Sequence, residues 1–213
     1  RMNRLENTKI GFLRNNPVLG LSLGLTTALA VTFSMTSAVG IGVLTFVLIL
    51  LAALLGGLVK MVAPKEALLP VNIILVAFLA KIGELLVLAY APGLAASVGI
   101  FLPLLAVNSI ILFATGAFSP EASMGESFTD ALKAGGAYLV ALVVVSFVRE
   151  LLGTGGISLQ NPLSGNEIFS FSLIPSEFTL SLFTQPAGAL IVLALVAAIF
   201  AALGKQDAEL GGK

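Results

Sequence analysis

Six long apolar runs dominate this chain, at residues 17–35, 38–59, 67–89, 95–115, 132–151 and 186–203. A helix crosses a bilayer with about 20 mainly apolar residues, because roughly 30 Å of hydrocarbon is covered at about 1.5 Å per residue. The runs are continuously apolar rather than alternating, which selects helices over the wall of a β-barrel. The second and fourth contain no charged residue at all, while the first and sixth are the shortest. A basic N-terminus that leads into span after span is unlike a signal peptide, which has one short apolar region and a cleavage site.

Composition agrees with this reading. The chain is 58% hydrophobic and 10% charged, against about 45–50% and about 25% in soluble domains, which excludes a soluble globular fold. Eleven Lys and Arg balance eleven Asp and Glu, so no basic surface is available and nucleic acid is excluded as a partner. Cysteine, histidine and tryptophan are all missing. Thiolate iron–sulfur ligation, Cys/His zinc sites, disulfides and His-dependent triads are therefore beyond what this chain does alone, and no cofactor is assigned to it from its own residues.

Lys and Arg set the expected orientation. With the N-terminus inside, the cytoplasmic segments hold Arg1, Arg4, Lys9, Arg14, Lys60, Lys65, Lys133, Lys205 and Lys213, which leaves only Lys81 within the third span and Arg149 at the outer end of the fifth. The positive-inside rule puts both termini in the cytoplasm. Residues 1–16 are then a cytoplasmic segment, 17–204 a single membrane domain and 205–213 a cytoplasmic tail. The connection at 152–185 lies outside, and its length predicts a cap or an interfacial segment around Ile168, Phe169, Ser170 and Phe171.

Two spans share a pattern. The first reads NNPVLGLSLGLTTALAVT and the fourth GIFLPLLAVNSIILFATG. Each has an early proline (Pro17, Pro103), glycine or asparagine in the middle (Gly20 and Gly24; Asn108) and a small hydroxyl residue just after it (Thr26; Ser109). Three spans per repeat is an odd number, so the second copy inserts upside down. The expected fold is all-α integral membrane: six transmembrane helices as two inverted three-helix repeats, about 15–92 and 95–204, with interrupted first and fourth helices. Broken helices offer free backbone dipoles near the midplane, whereas the plainer reading of Gly, Ser and Thr is close backbone approach.

Charges inside a span cost about 2.5–3.5 kcal/mol at a helix centre. Lys81 and Glu84 share a face at i and i+3, where they neutralise each other or serve an ion route. Asp130, one residue past Thr129, reads as a first-turn acid of the fifth helix. Arg149 and Glu150 are adjacent and do not face one another, so neighbouring subunits or headgroups are their expected partners. Asn108 is expected to bond free carbonyls of the broken helix.

Taken in chain order, NNPVL with LGL and ALAVT (15–32), AYAPGL (89–94), GIFLPL with Asn108, SFTDAL (127–132), FVRELLGTG (147–155) and QPAGA (185–189) resemble the small six-span membrane subunits of the Rnf and Nqr complexes, and FVRELLGTG with LGL…ALAVT favours the D/E type. The resemblance implies a non-catalytic subunit of a redox-driven translocase in a bacterial or archaeal cytoplasmic (inner) membrane. Such a complex couples ferredoxin or NADH oxidation to Na⁺ or H⁺ translocation. The implied partners are a homologous subunit of inverted topology and other Rnf/Nqr-type subunits.

In that family one cysteine in the first span and one in the fourth let two such subunits share a [2Fe–2S] cluster. The matching positions here are Thr26 and Ser109, and the GRAEAF-like run after the second cysteine is replaced by FATGAF. Glu84 and Asp130 match acids of the family's cation route, to which Lys81 does not belong. The resemblance thus leaves three functions open: an electron-transport subunit without its cysteines, a cluster-free scaffold, and a free-standing secondary ion transporter.

Overall fold

A computed structural model describes residues 23–118, 123–161, 166–172 and 179–210. The chain runs through α1 (Leu25–Val31), α2 (Met35–Val62), a 3-10 turn (Lys65–Ala67), α3 (Leu68–Tyr90) and α4 (Pro92–Val98), then through two 3-10 segments (Gly99–Phe101 and Pro103–Val107) into α5 (Ser109–Ala114). After that come α6 (Met124–Thr154), a hairpin of β1 (Gly156–Gln160) and β2 (Glu167–Ser172), a last 3-10 turn (Ser181–Thr184) and α7 (Pro186–Leu210).

Local chemistry sets the ends of the long helices. Ser34, in an extended conformation, accepts the Ser37 N–H and starts α2, while Pro64 stops its continuation after Ala63. Pro92 ends α3 and opens α4, since a proline supplies no N–H to the preceding turn. Ser123 and Glu126 form a full capping box at the start of α6, and Gly155, at φ 76°, closes its other end.

Among the described residues three helices are long and apolar enough to cross a membrane: Met35–Val62, Lys65–Tyr90 and Met124–Thr154. They contain the second, third and fifth spans expected from the sequence. The sixth falls on α7, whose apolar part, Pro186–Ile199, is shorter. The fourth is not one helix: 95–115 is divided among α4, two 3-10 segments and α5, because Gly99, Pro103 and Asn108 each interrupt the α-helical ladder. Of the first, only α1 and its start at Gly24 are described, and Pro17 and Gly20 lie outside the described residues.

At the centre, α2 packs along α6. Ala38, Ile41, Ile49, Ala52 and Ala53 of α2 and Ala131, Ala141, Leu142 and Val145 of α6 are buried. The five alanines among them let the backbones approach closely, since lipid gives helices no hydrophobic reason to associate and packing must supply the contact. Gly56 lets α2 meet the end of α5, where a Cβ would come within 2.5 Å of the Thr115 carbonyl oxygen. Large apolar side chains such as Ile74 and Phe78 point outward from α3.

One expectation gains detail and another changes. The 152–185 connection holds an antiparallel hairpin, with Ile157 opposite Phe171 and Leu159 opposite Phe169. Its second strand is exposed along its whole length, and its first strand is bonded to Thr36 of α2 and Glu150 of α6, so the segment caps one end of both helices. Asp130 is not in a first turn: α6 begins at Met124, and the Ser-x-x-Glu signature at 123–126 marks that start.

Candidate functional site

The start of α1 meets the divided fourth segment. Gly24, in the left-handed conformation at φ 70°, opens α1, and its N–H donates to Ser109 Oγ at 2.9 Å. Only glycine adopts this backbone without strain, and a Cβ there would come within 2.8 Å of Tyr138 Cε2. Asn108 breaks the other segment with an extended backbone, and its Oδ1 accepts the Ile110 N–H at 3.2 Å, which caps α5. Its Nδ2 donates to Thr27 Oγ1 at 3.2 Å. Asn108 therefore takes an amide and a hydroxyl as partners, not the free carbonyls expected of it, because its own position is an N-cap, where orphan N–H groups gather.

Behind the junction lies a buried polar knot. Thr27 Oγ1 donates to Gly24 O at 2.9 Å and also lies in hydrogen-bond contact with Tyr138 OH from α6. Thr27, Asn108 and Tyr138 are all buried. Thr26 and Ser109, one residue along from Thr27 and Asn108, are exposed on the chain's own surface. The knot thus faces inward, and the two hydroxyl positions singled out from the sequence face outward beside it.

The [2Fe–2S] cluster implied by the resemblance does not fit this donor set. The chain has no cysteine and no histidine, and the Ser109 hydroxyl oxygen already accepts the Gly24 N–H. An alcohol ionises far less readily than a thiol, whose pKa is about 8.5, so neither Thr26 nor Ser109 offers iron the anionic donor it needs. Among the described residues no group of three or more His, Cys, Asp and Glu converges on a possible metal position.

Arg149 and Glu150 have their partners inside the chain, which overturns the expectation of neighbouring subunits or headgroups. Arg149 is 1% exposed and Glu150 3%. The Arg149 guanidinium donates to Leu29 O and Thr32 Oγ1 at the end of α1, and to the carbonyls of Phe183, Thr184 and Gln185 ahead of α7. Glu150 accepts the Met35 N–H at the start of α2 at 2.6 Å, together with the N–H and hydroxyl of Ser158 on β1. Adjacent residues at the end of α6 thus grip both sides of the corner between α1 and α2. A cation meets carbonyls at a helix C-terminus and an anion meets N–H groups at an N-terminus, the favourable pairing at each. Sequence spacing hid this because the acceptors come from segments far away along the chain.

The other two acids singled out from the sequence each pair with a lysine on their own helix. Lys81 Nζ lies 3.1 Å from Glu84 Oε2 on α3, with side-chain exposures of 61% and 14%. Asp130 is exposed on α6, with Lys133 Nζ 3.8 Å from its Oδ1.

Comparison with known proteins fits this architecture. A family model described as "Rnf-Nqr subunit, membrane protein" matches residues 5–197. The E subunit of an ion-translocating oxidoreductase complex from Shewanella oneidensis is 35% identical over 204 residues, covering 93% of this chain and 87% of that protein. The E subunit of a Na⁺-translocating ferredoxin:NAD⁺ oxidoreductase complex from Acetobacterium woodii is 33% identical over 196 residues, covering 92% of this chain and 94% of its own length. The corresponding protein from Shewanella amazonensis is 35% identical over 193 residues, covering 88% and 82% respectively. With the match spanning nearly the whole chain and the long apolar helices in place, this chain belongs to the Rnf-Nqr family of membrane subunits.

Proposed function

We propose that this chain is the E-type membrane subunit of an Rnf/Nqr-type complex in a bacterial or archaeal cytoplasmic membrane. It inserts as six spans in two inverted halves, with both termini in the cytoplasm. It acts beside a homologous subunit of opposite topology and other Rnf-type subunits. Electrons from ferredoxin or NADH drive Na⁺ or H⁺ across the membrane in that complex, and this chain lines the route without holding a [2Fe–2S] cluster of its own. Moving one charge against 100 mV takes about 2.3 kcal/mol, which low-potential electrons can supply.

The junction carries the reading: the start of α1 and the divided fourth segment are joined from the Gly24 N–H to Ser109 Oγ with Thr26 and Ser109 exposed beside it, the arrangement expected of one broken segment from each half. Broken helices that meet from two repeats are how membrane transporters bring backbone dipoles to an internal route. The experiment is iron analysis with electron paramagnetic resonance on the complex purified through a tag on this chain. Expected are co-purified Rnf-type subunits and donor-driven cation uptake in proteoliposomes, with no [2Fe–2S] signal from the Thr26/Ser109 site. A cluster signal that disappears on Ser109→Ala overturns the cluster-free reading, and a chain that purifies alone overturns the subunit reading.

Glu84 is the acid we assign to the ion route, with Lys81 as its paired counter-charge. Glu84→Gln is expected to slow cation uptake at least tenfold while the complex still assembles. The engaged Ser109 hydroxyl favours one further reading, a scaffold that conducts neither electrons nor ions. Unchanged uptake in Glu84→Gln removes Glu84 from the route and leaves that scaffold role.

A further inference from the structure

Two cations at matched places in the chain lie at the far ends of the two short helices that meet at the junction. Arg149, late in α6, donates Nη1 to Leu29 O and Thr32 Oγ1 at the C-terminal end of α1. Lys60, late in α2, brings Nζ against Gly116, just past the C-cap of α5, so closely that a Cβ on Gly116 would overlap the ammonium. Its Nζ also lies 3.4 Å from Ser127 Oγ on α6. Gly116 has φ 73°, a conformation that leaves the space beside it open for the cation.

The match runs along the sequence. Ser34 caps α2 and Ser123 caps α6, and Lys60 stands as many residues past Ser34 as Arg149 does past Ser123. In the same register Phe46 of α2 corresponds to Gly135 of α6, and these two touch: a Cβ on Gly135 would come within 2.7 Å of the Phe46 ring. Contact between a residue and its own counterpart is what a twofold axis between α2 and α6 produces. The arrangement is also crossed, since α2 leads from α1 but places Lys60 at the end of α5, and α6 follows α5 but places Arg149 at the end of α1. Each cation lies where helix-end carbonyls lack partners within their own helix.

We propose that Lys60 and Arg149 are a reciprocal pair of positioning residues, each fixing from one half of the chain the short helix of the other, so that α1 and α5 keep the separation at which Gly24 meets Ser109. The proposal rests on the two-half reading given above. Both residues act on the junction through helix ends and touch neither Thr26 nor Ser109.

Because the chain has no cysteine, two introduced ones report a single distance. Thr26→Cys with Phe113→Cys places spin labels on α1 and α5, both at exposed positions. Val43→Cys with Ile74→Cys, exposed on α2 and α3, is the control pair. Pulsed electron resonance on the full chain in nanodiscs is expected to give a narrow α1–α5 distance. Lys60→Gln and Arg149→Gln should each broaden or shift it by several ångström while the control pair keeps its width, and Lys60→Arg should restore it. An unchanged α1–α5 distance in both Gln variants overturns the proposal, and so does equal broadening of the control pair, which marks general loosening. Where a Gln variant is not recovered, Gly116→Ala and Arg149→Lys read the same distance, the first by displacing the ammonium and the second by leaving several acceptors unserved. An unchanged distance in both likewise overturns the proposal. Co-purification of other subunits reads the proposed function separately, so failure of one is distinguishable from failure of the other.

Discussion

Glu150→Ala is expected to destabilise the chain by about 3–5 kcal/mol, the range found when one member of a buried charge arrangement is removed. The carboxylate serves three donors at once: the Met35 N–H, the Ser158 N–H and the Ser158 hydroxyl. Removing it strands these groups where the protein shields them from water, at about 1–3 kcal/mol for each that stays unpaired. The hairpin loses its anchor on α6, and α2 loses a partner at its first turn. Glu150→Gln keeps one acceptor oxygen and should cost about half as much. With no tryptophan or cysteine in the chain, helical circular dichroism through an SDS titration in mixed micelles is the measurement. A midpoint within error of the parent for Glu150→Ala would show that the three bonds contribute nothing.

Gly24→Val carries the second large effect and strikes the junction itself. A left-handed backbone costs an L-residue about 1–2 kcal/mol, more for a β-branched one, and overpacking adds about 1–3 kcal/mol. The crowding is specific: a Cβ at Gly24 approaches Tyr138 Cε2 and Asn108 Oδ1, two members of the polar knot behind the break. The expected total is about 2–5 kcal/mol, with donor-driven cation uptake by the complex lost even under conditions where the chain still inserts. Gly136→Ala is the control, because a Cβ there meets nothing within 4 Å. On α6 it should stabilise by up to about 1 kcal/mol through helix propensity alone. Equal stability of Gly24→Val and Gly136→Ala would remove the steric account of the junction.

Much of the helical architecture is legible from hydropathy. The second, third and fifth spans lie within continuous helices, since about 20 apolar residues in a row leave the backbone no better solution in lipid than its own hydrogen bonds. In the fourth, hydropathy marks 95–115 as one unbroken run, and the proline and asparagine within it signal an interruption without showing its extent. Hydropathy does not register φ and ψ, and the breaks at Gly99, Pro103 and Asn108 are events of the backbone. The start of α6 is legible in principle from Ser123 and Glu126, a local signature with a local cause. The junction is half legible: Thr26, Ser109 and Asn108 can be singled out, but not the bonding of Asn108 to Thr27 nor the share of Tyr138, which comes from a distant helix.

The sequence by itself determined that this chain is a mainly helical membrane protein of the Rnf-Nqr type without thiols, because hydrophobicity, helix length and the absence of a residue type are properties of the linear chain. Only the tertiary structure decided where the buried charges go. Arg149 and Glu150 read in the sequence as outward-facing charges at the end of a span, and they are internal clamps on the corner between α1 and α2. The physical reason is that a buried ion is tolerated only where acceptors or donors converge on it. Here those groups come from Leu29, Thr32, Met35, Ser158 and residues 183–185, which folding alone brings together.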